Sequence, residues 1–194
     1  MNPVSEEASL FDELLSSCES KLLLYARNLT GDLESAQDIV QESFLKLAKA
    51  LRDRKGRPGE DALSTGEDRL KRWKAWLFTV TRNGAFDQLR KRKPVVPEEV
   101  LMNIPSADLN PRRCLEKNDL VVRVFQSMER LSLSQREAIR LRFQNDLSYK
   151  EIAQVMNVSV TNVGFLLHAG LKRLRVLLKD DLQAAPSGCD GMIR

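Results

Sequence analysis

The sequence predicts an all-helical protein (all-α) in which two small helical domains are joined by a flexible linker. Leu, Glu, Lys, Arg, Gln and Ala fill long stretches of the 194-residue chain, and these residue types favour helix over strand. Apolar residues in those stretches recur at steps of three and four, the spacing of one helix face. Four of the seven prolines lie between residues 94 and 111, which indicates an interdomain linker.

The first predicted domain covers residues 1–93 and contains three helices. Residues 53–68 hold three glycines and no helical stripe, so they predict a long exposed loop between the second and third helices. The third helix must end before Pro94, because proline disfavours helical backbone in the residue before it. The predicted helices cover residues 10–29, 32–52 and 69–93.

The second predicted domain covers residues 112–182, and a flexible tail of residues 183–194 follows it. Helical patterns return at about Pro111 and are separated by short polar turns. No sequence repeat relates the two domains. The four predicted helices cover residues 111–131, 134–144, 148–156 and 160–178.

Positive charge is clustered in two places, although the net charge of +4 is too small to identify a ligand. Residues 69–93 contain nine Lys or Arg and one acidic residue, Asp87. Two basic surfaces on one chain favour a long polyanion such as nucleic acid, whereas a single basic cluster is as readily a solvated helix face. The second group comprises Lys172, Arg173, Arg175 and Lys179.

The sequence offers little for metal, cofactor or catalytic chemistry. Three cysteines lie far apart without a CxxC pair and there is one histidine, so we expect no disulfide framework, metal site or cofactor. We also expect no enzyme, because a phosphate-binding GxxxxGK[ST] loop and catalytically spaced carboxylates are both missing from the sequence. No apolar run approaches the ~20 residues that span a bilayer, and the first ten residues do not resemble a signal peptide. We therefore expect a cytoplasmic protein.

A helix-turn-helix is predicted near the C-terminal end. Apolar residues between Ile152 and Leu166 have its spacing, and Ala153 is small where the two helices cross. Ser148 and Glu151 form a capping box, and Ser159 can start the second helix. The alternative is an ordinary helical hairpin, and a lone histidine is more often a surface residue than a functional one. The side chains expected to face bases are Thr161, Asn162, Phe165 and His168.

The third predicted helix has a mixed polar and aromatic face. An aromatic ring can stack on an unpaired base while guanidinium groups hold phosphates, so this face suits single-stranded nucleic acid. The alternative is that Trp76 belongs to the core, as an isolated tryptophan usually does. The residues on this face are Arg72, Trp76, Thr79, Asn83, Asp87 and Arg90.

Three segments in order resemble the extracytoplasmic-function (ECF) sigma factors of the sigma-70 superfamily, over about residues 10–180. AQDIVQESFLKL at 36–47 is similar to the family's polymerase-binding helix. WKAWLFTVTRNGAFDQLRKRKP at 73–94 is similar to its promoter-melting helix, and the segment 131–159 is similar to its minus-35-reading domain. Each match alone is weak, but their order and spacing are specific.

The resemblance implies an alternative sigma factor that binds core RNA polymerase and directs promoter-specific transcription initiation. It implies promoter DNA and an anti-sigma factor as further partners. The alternative, a free-standing helix-turn-helix regulator that binds an operator, leaves the docking residues unexplained. These docking residues are Asp38, Gln41 and Glu42. The residues implied at the minus-10 element are Arg72, Trp76, Asn83, Asp87, Arg90, Lys91 and Arg92. Those implied at minus-35 are Ser159, Thr161, Asn162, Phe165, His168, Lys172 and Arg173.

Two departures from the family pattern affect the expected DNA contacts. Gly164, Leu166 and Ala169 stand where Arg or Lys is common, so minus-35 contacts are expected to be fewer or to shift to Lys172 and Arg173. The predicted loop at 53–68 is also longer than usual. A promoter consensus therefore cannot be taken over from relatives.

Overall fold

The computed structural model describes residues 3–53, 66–92 and 119–183, with side chains described for 6–53, 66–91 and 121–180. Every regular element within these ranges is an α-helix. The all-helical prediction is confirmed there. The helices are α1 (Pro3–Thr30), α2 (Leu33–Asp53), α3 (Gly66–Arg92), α4 (Asp119–Glu129), α5 (Leu133–Phe143), α6 (Tyr149–Met156) and α7 (Val160–Gln183).

Two predicted helix starts are wrong. The first helix begins at Pro3 rather than Leu10, because proline is favoured in the first turn of a helix and the polar residues after it are compatible with helix. The third begins at Gly66, so the predicted loop is shorter at its C-terminal end. Glu67 and Asp68 stabilise that first turn through the helix dipole. The rest of the loop, the linker at 94–111 and the tail at 184–194 lie outside the described residues.

Helices α1, α2 and α3 pack on one another and form the N-terminal bundle. Leu14, Leu22, Leu47 and Leu77 are fully buried between them. Helices α2 and α3 pack closely at Gly84, where an added Cβ would lie 3.2 Å from Cγ2 of Ile39. A residue with a Cβ at this position would require the Ile39 side chain to shift by a few tenths of an ångström.

Helices α4 to α7 form the C-terminal bundle, in which α7 packs on the other three. The predicted capping box is confirmed, with the Ser148 hydroxyl accepting from the backbone N–H of Glu151 and the Glu151 carboxylate from that of Ser148. Asn157 ends α6 in the left-handed conformation at φ 53°, which turns the chain into α7. These local signals produce the predicted helix-turn-helix.

A buried arginine ties α4 to α5. The Arg136 side chain is 1% exposed. Its guanidinium donates to Oε2 of Glu129 at 2.7 Å and to the backbone carbonyl oxygen of Glu129 at 2.6 Å. Arg140 donates to Oε1 of Glu129 at 3.3 Å. Burial lowers the pKa of Arg140 to about 10, although the nearby Glu129 carboxylate opposes this shift.

The two bundles are in contact. Helix α3 packs on α6, and the buried apolar side chains of both bundles form one continuous cluster. The sequence did not predict this contact, because a proline-rich linker allows many arrangements. No single helix in the described ranges is long and apolar enough to cross a membrane. Helices α6 and α7 reach that length and apolar character only when they are taken together, and they meet at a 99° bend.

Candidate nucleic-acid interface

The predicted nucleic-acid face of α3 points largely to solvent. Asn83, Asp87 and Arg90 are exposed, whereas Arg72 and Trp76 are partly buried. The neighbouring face, with Leu77 and Gly84, packs on α1 and α2 as expected. Lys91 is exposed at the end of the helix, and the Arg92 side chain lies outside the described residues.

Trp76 is both a packing residue and part of this surface. Its ring meets the buried Trp73 ring edge to face, with centroids 5.4 Å apart and an interplanar angle of 74°. The hydrophobic cluster contacts Trp76 without fully covering it. One part of the ring is therefore held by the core while another remains accessible for stacking.

Ion pairs within α3 order several of its charged side chains. Arg90 donates to Asp87 at 2.8 Å, one turn apart. Lys71 lies 2.7 Å from Glu67, and its hydrogen bond to that carboxylate raises the pKa of Lys71 above its usual value of 10.5. Both pairs are exposed, so their effect is mainly to orient side chains rather than to stabilise the fold.

The predicted base-contacting side chains lie together on the outer face of α7. The Ser159 hydroxyl caps the helix by accepting from the backbone N–H of Asn162 at 3.1 Å. Val163 and Leu167 are buried on the opposite face and hold α7 on the bundle. All seven residues of the predicted minus-35 set are exposed: Ser159, Thr161, Asn162, Phe165, His168, Lys172 and Arg173.

The predicted docking residues are also exposed along one face of α2. Asp38, Gln41 and Glu42 are open to solvent, with Glu42 paired to Lys46 at 2.9 Å. Leu45 lies one turn further on and is 65% exposed. Sequence reasoning missed Leu45, although a leucine outside the buried stripe of an amphipathic helix was an available signal.

The described residues hold no group of His, Cys, Asp and Glu side chains that could bind a metal ion. Cys18 is buried in the N-terminal bundle, and His168 is exposed on α7. The predicted nucleic-acid faces of α3 and α7 carry cations, amides and aromatic rings. Such surfaces bind a polyanion and its bases.

Two family models match the chain in the predicted order. Sigma-70 region 2 matches residues 14–60, and Sigma-70 region 4 matches residues 122–174. Curated relatives over most of the chain are named ECF RNA polymerase sigma factors. The chain is an ECF sigma factor of the sigma-70 family. As such it is an alternative sigma factor that directs transcription initiation.

Individual relatives of this sigma factor are distant in sequence, and this chain spans less than two thirds of the length of one of them, SigE. SigM of Bacillus subtilis is 25% identical over 169 residues, which cover 86% of this chain and 93% of SigM. SigE of Mycolicibacterium smegmatis is 25% identical over 182 residues, which cover 91% of this chain and 65% of SigE. The structure of the sigma factor RpoE with the anti-sigma factor NepR from Bartonella quintana matches with a TM-score of 0.60 and 28% identity. That match covers 88% of this chain and 96% of RpoE.

The two family models differ in how many of the predicted contact residues they cover. The region 4 match contains every predicted minus-35 residue, and the region 2 match contains the docking face of α2 but ends before α3. The individual contacts of α2, α3 and α7 therefore remain predictions. The matches give no support to an operator-binding regulator.

Proposed function

We propose that this sigma factor binds core RNA polymerase through α2, holds the opened minus-10 element on α3, and binds the minus-35 duplex through α7. The observation that carries this proposal is the exposure of three chemically different helix faces on one chain. The face on α2 is acidic and apolar, that on α3 is aromatic and basic, and that on α7 is polar at its start and basic further on. The named residues of the α2 and α7 faces are exposed, whereas Arg72 and Trp76 on the α3 face are partly buried.

The face of α2 has the chemistry of a protein interface. Leu45 supplies an apolar side chain that gains free energy when it is covered, and Asp38 and Glu42 supply charge around it. Gln41 lies between the two acids and can donate and accept hydrogen bonds. Leu45 is expected to contribute most of the binding affinity, and the two acidic residues are expected to select a basic partner surface.

The face of α3 suits separated DNA strands better than duplex. Trp76 offers a partly exposed ring, and a base that leaves the duplex regains part of its lost stacking on such a ring, worth ~1–3 kcal/mol. Arg90, ordered by Asp87, and Lys91 extend the surface toward phosphates. Asn83 lies between the aromatic and basic parts, where an amide can read a base edge.

The face of α7 suits duplex DNA with few charged contacts near its N-terminus. Thr161, Asn162 and Phe165 can reach base edges and methyl groups in a major groove. Lys172 and Arg173 stand two to three turns further on, where they can meet the phosphate backbone. Weak binding at each element is sufficient, because two linked contacts on one DNA reinforce each other.

Three further assignments belong to the same proposal. An anti-sigma factor is proposed as a partner, supported by the similarity to a sigma factor solved with one. A cytoplasmic location is proposed, since core polymerase and promoters are found there. No catalytic step is assigned to the chain, because the polymerase supplies the chemistry.

Transcription in vitro with purified core polymerase and a genomic promoter library tests the proposal. The wild-type chain is expected to join core polymerase and direct initiation from a subset of promoters. Glu42→Lys is expected to lower core binding at least about tenfold, because charge reversal at a docking face introduces repulsion. Glu19→Lys on the exposed side of α1 is the matched control and is expected to bind as wild type.

The outcomes separate the two classes of DNA-binding protein. Unchanged co-purification of the Glu42→Lys variant with core polymerase would remove α2 from the interface. A chain that binds specific duplexes alone and never joins polymerase would instead be an operator-binding regulator.

A further inference from the structure

The first turns of α7 carry no permanent positive charge. Residues 158–171 contain neither lysine nor arginine, and His168 is the only titratable side chain among them. Lys172 is the first cation of the helix, and at 1.5 Å per residue it lies roughly 16 Å along the axis from Thr161. A recognition helix contacts base edges with its N-terminal residues, so base contacts there depend on uncharged side chains.

Thr161, Phe165 and His168 form one outward line on this part of α7, because positions three and four apart share a helix face. Val163 and Leu167, on the opposite side, are 0% and 3% exposed and hold the helix on the C-terminal bundle. Phe165 is 68% exposed, the largest value among the large apolar side chains that the structure describes. The ring therefore projects away from the core, where a DNA duplex can meet it.

Asn162 lies beside this line with its side chain available for contacts. Its backbone N–H donates to the Ser159 hydroxyl at 3.1 Å, and the Val163 N–H donates to the Ser159 carbonyl oxygen at 3.1 Å. These bonds fix the first turn without using the Asn162 amide. Within the described ranges that side-chain amide makes no hydrogen bond, so its donor and its acceptor are both available to a base.

The side-chain types at the start of α7 select between base pairs. In the major groove an Asn amide bonds N6 and N7 of adenine in a bidentate manner, and apolar groups such as Phe and the Thr methyl contact the C5-methyl group of thymine. Guanine is read mainly by Arg or Lys and cytosine by Glu or Asp, and residues 158–171 contain none of these four types. This part of α7 therefore has the means to specify A·T pairs and lacks the usual means to specify G·C pairs.

We propose that α7 reads A·T pairs in the minus-35 element, with Asn162 bound to an adenine and Phe165 packed on the methyl group of a thymine. This inference rests on the proposed binding of minus-35 duplex by α7. The two residues are about 4.5 Å apart along the helix and base pairs are about 3.4 Å apart, so we expect the adenine and the thymine within about two base pairs of one another. Lys172 and Arg173 contact phosphates and contribute affinity without base preference.

Selection from a randomised minus-35 element tests which bases are read. The element is randomised in a promoter that the chain uses with core polymerase, and the templates that initiate are sequenced. The wild-type chain is expected to enrich an adenine at least about fivefold and a nearby thymine about three- to fourfold over guanine and cytosine. Asn162→Ala should abolish the first preference and Phe165→Ala the second. Both side chains are exposed and the Ser159 cap uses only the backbone of residue 162, so neither variant is expected to unfold.

The positions that change in these two variants decide between the outcomes. A wild-type preference for guanine or cytosine at those positions would overturn the A·T reading. The A·T reading also fails if the wild-type chain shows no base preference, or if either variant retains both wild-type preferences.

Modified bases separate the two contacts. Deoxyuridine in place of the thymine removes one methyl group and should lower the affinity of the wild-type chain, bound to core polymerase, about three- to fourfold. Deazaadenine, which lacks the N7 acceptor, should lower that affinity about two- to tenfold. Phe165→Ala should be indifferent to deoxyuridine, and Asn162→Ala should be indifferent to deazaadenine. Equal losses in the wild-type and variant complexes would contradict the assigned contacts.

Phe165→Arg tests the missing guanine contact. Because residue 165 is 68% exposed, the guanidinium is expected to reach the groove and to create a guanine preference of at least about fivefold at or next to the thymine position. Val176→Arg is the matched control, since it adds the same charge at an exposed apolar residue about three turns further along α7. The control should keep the wild-type base preference. A guanine preference in both variants, or in neither, would show that residue 165 does not face the bases.

Failure of the A·T reading is distinguishable from failure of the proposed function. If the chain never joins core polymerase, the proposed function is refuted, and selection of random duplexes by the full chain alone then decides the base preference. If the chain initiates transcription but selects G·C pairs at the positions governed by Asn162 and Phe165, the sigma factor function stands and the A·T reading is refuted.

Discussion

Replacing Arg136 by Met is expected to destabilise the C-terminal bundle severely. The guanidinium is almost fully buried and donates three hydrogen bonds, to Oε2 and the carbonyl oxygen of Glu129 and to the Leu131 carbonyl oxygen. Hydrogen bonds of charged groups contribute about 1.5–3 kcal/mol each, but they are not additive. Met fills much of the volume of the arginine side chain, and Glu129 keeps its ion pair with Arg140. We therefore expect the free energy of unfolding to fall by about 3 kcal/mol.

Thermal unfolding followed by circular dichroism measures this loss. For a bundle of this size 1 kcal/mol corresponds to about 4–8 °C, so the transition should fall by roughly 12–24 °C. Arg175→Met, at an exposed position of α7, is the control and should change stability by less than about 0.5 kcal/mol. If both variants melt within about 3 °C of each other, the buried guanidinium does not tie α4 to α5 as described.

Two further predictions concern the nucleic-acid faces. Trp76→Ala should reduce promoter opening while core binding is kept, because the exposed part of the ring is lost; a permanganate footprint as strong as that of wild type would contradict this role. Replacing Lys172 and Arg173 by Gln should reduce the slope of log affinity against log salt by about 2 for minus-35 duplex, measured by fluorescence anisotropy, and an unchanged slope would place the phosphate contacts elsewhere.

Local signals accounted for most of the fold. The capping box at Ser148 and the turn before α7 depend on residues three or four apart, so the sequence was sufficient to predict them. The start of the first helix was predicted too late, because residues 3–9 carry no apolar stripe. Periodicity measures burial on one face, and this segment has little to bury.

Long-range contacts escaped sequence reasoning. The hydrogen bond from the Tyr25 hydroxyl to Glu137 joins residues 112 positions apart, which no local sequence pattern connects. The sequence allows Trp76 to be either a core or a surface residue, and in the structure its side chain is partly buried against the core. The exposure of Leu45 depends on how α2 packs, which a helical period shows only when the buried stripe is already known.

The close packing at Gly84 links the proposed polymerase contact on α2 to the proposed DNA contact on α3. Because Gly84 has no side chain, the backbone of α3 packs closely on the Ile39 side chain of α2. If polymerase binds α2 as proposed, this close packing couples the orientation of α3 to that of α2. Bulkier side chains at this contact would let the exposed faces of α2 and α3 tilt independently, and the proposed position of the separated DNA strands would then be less well defined.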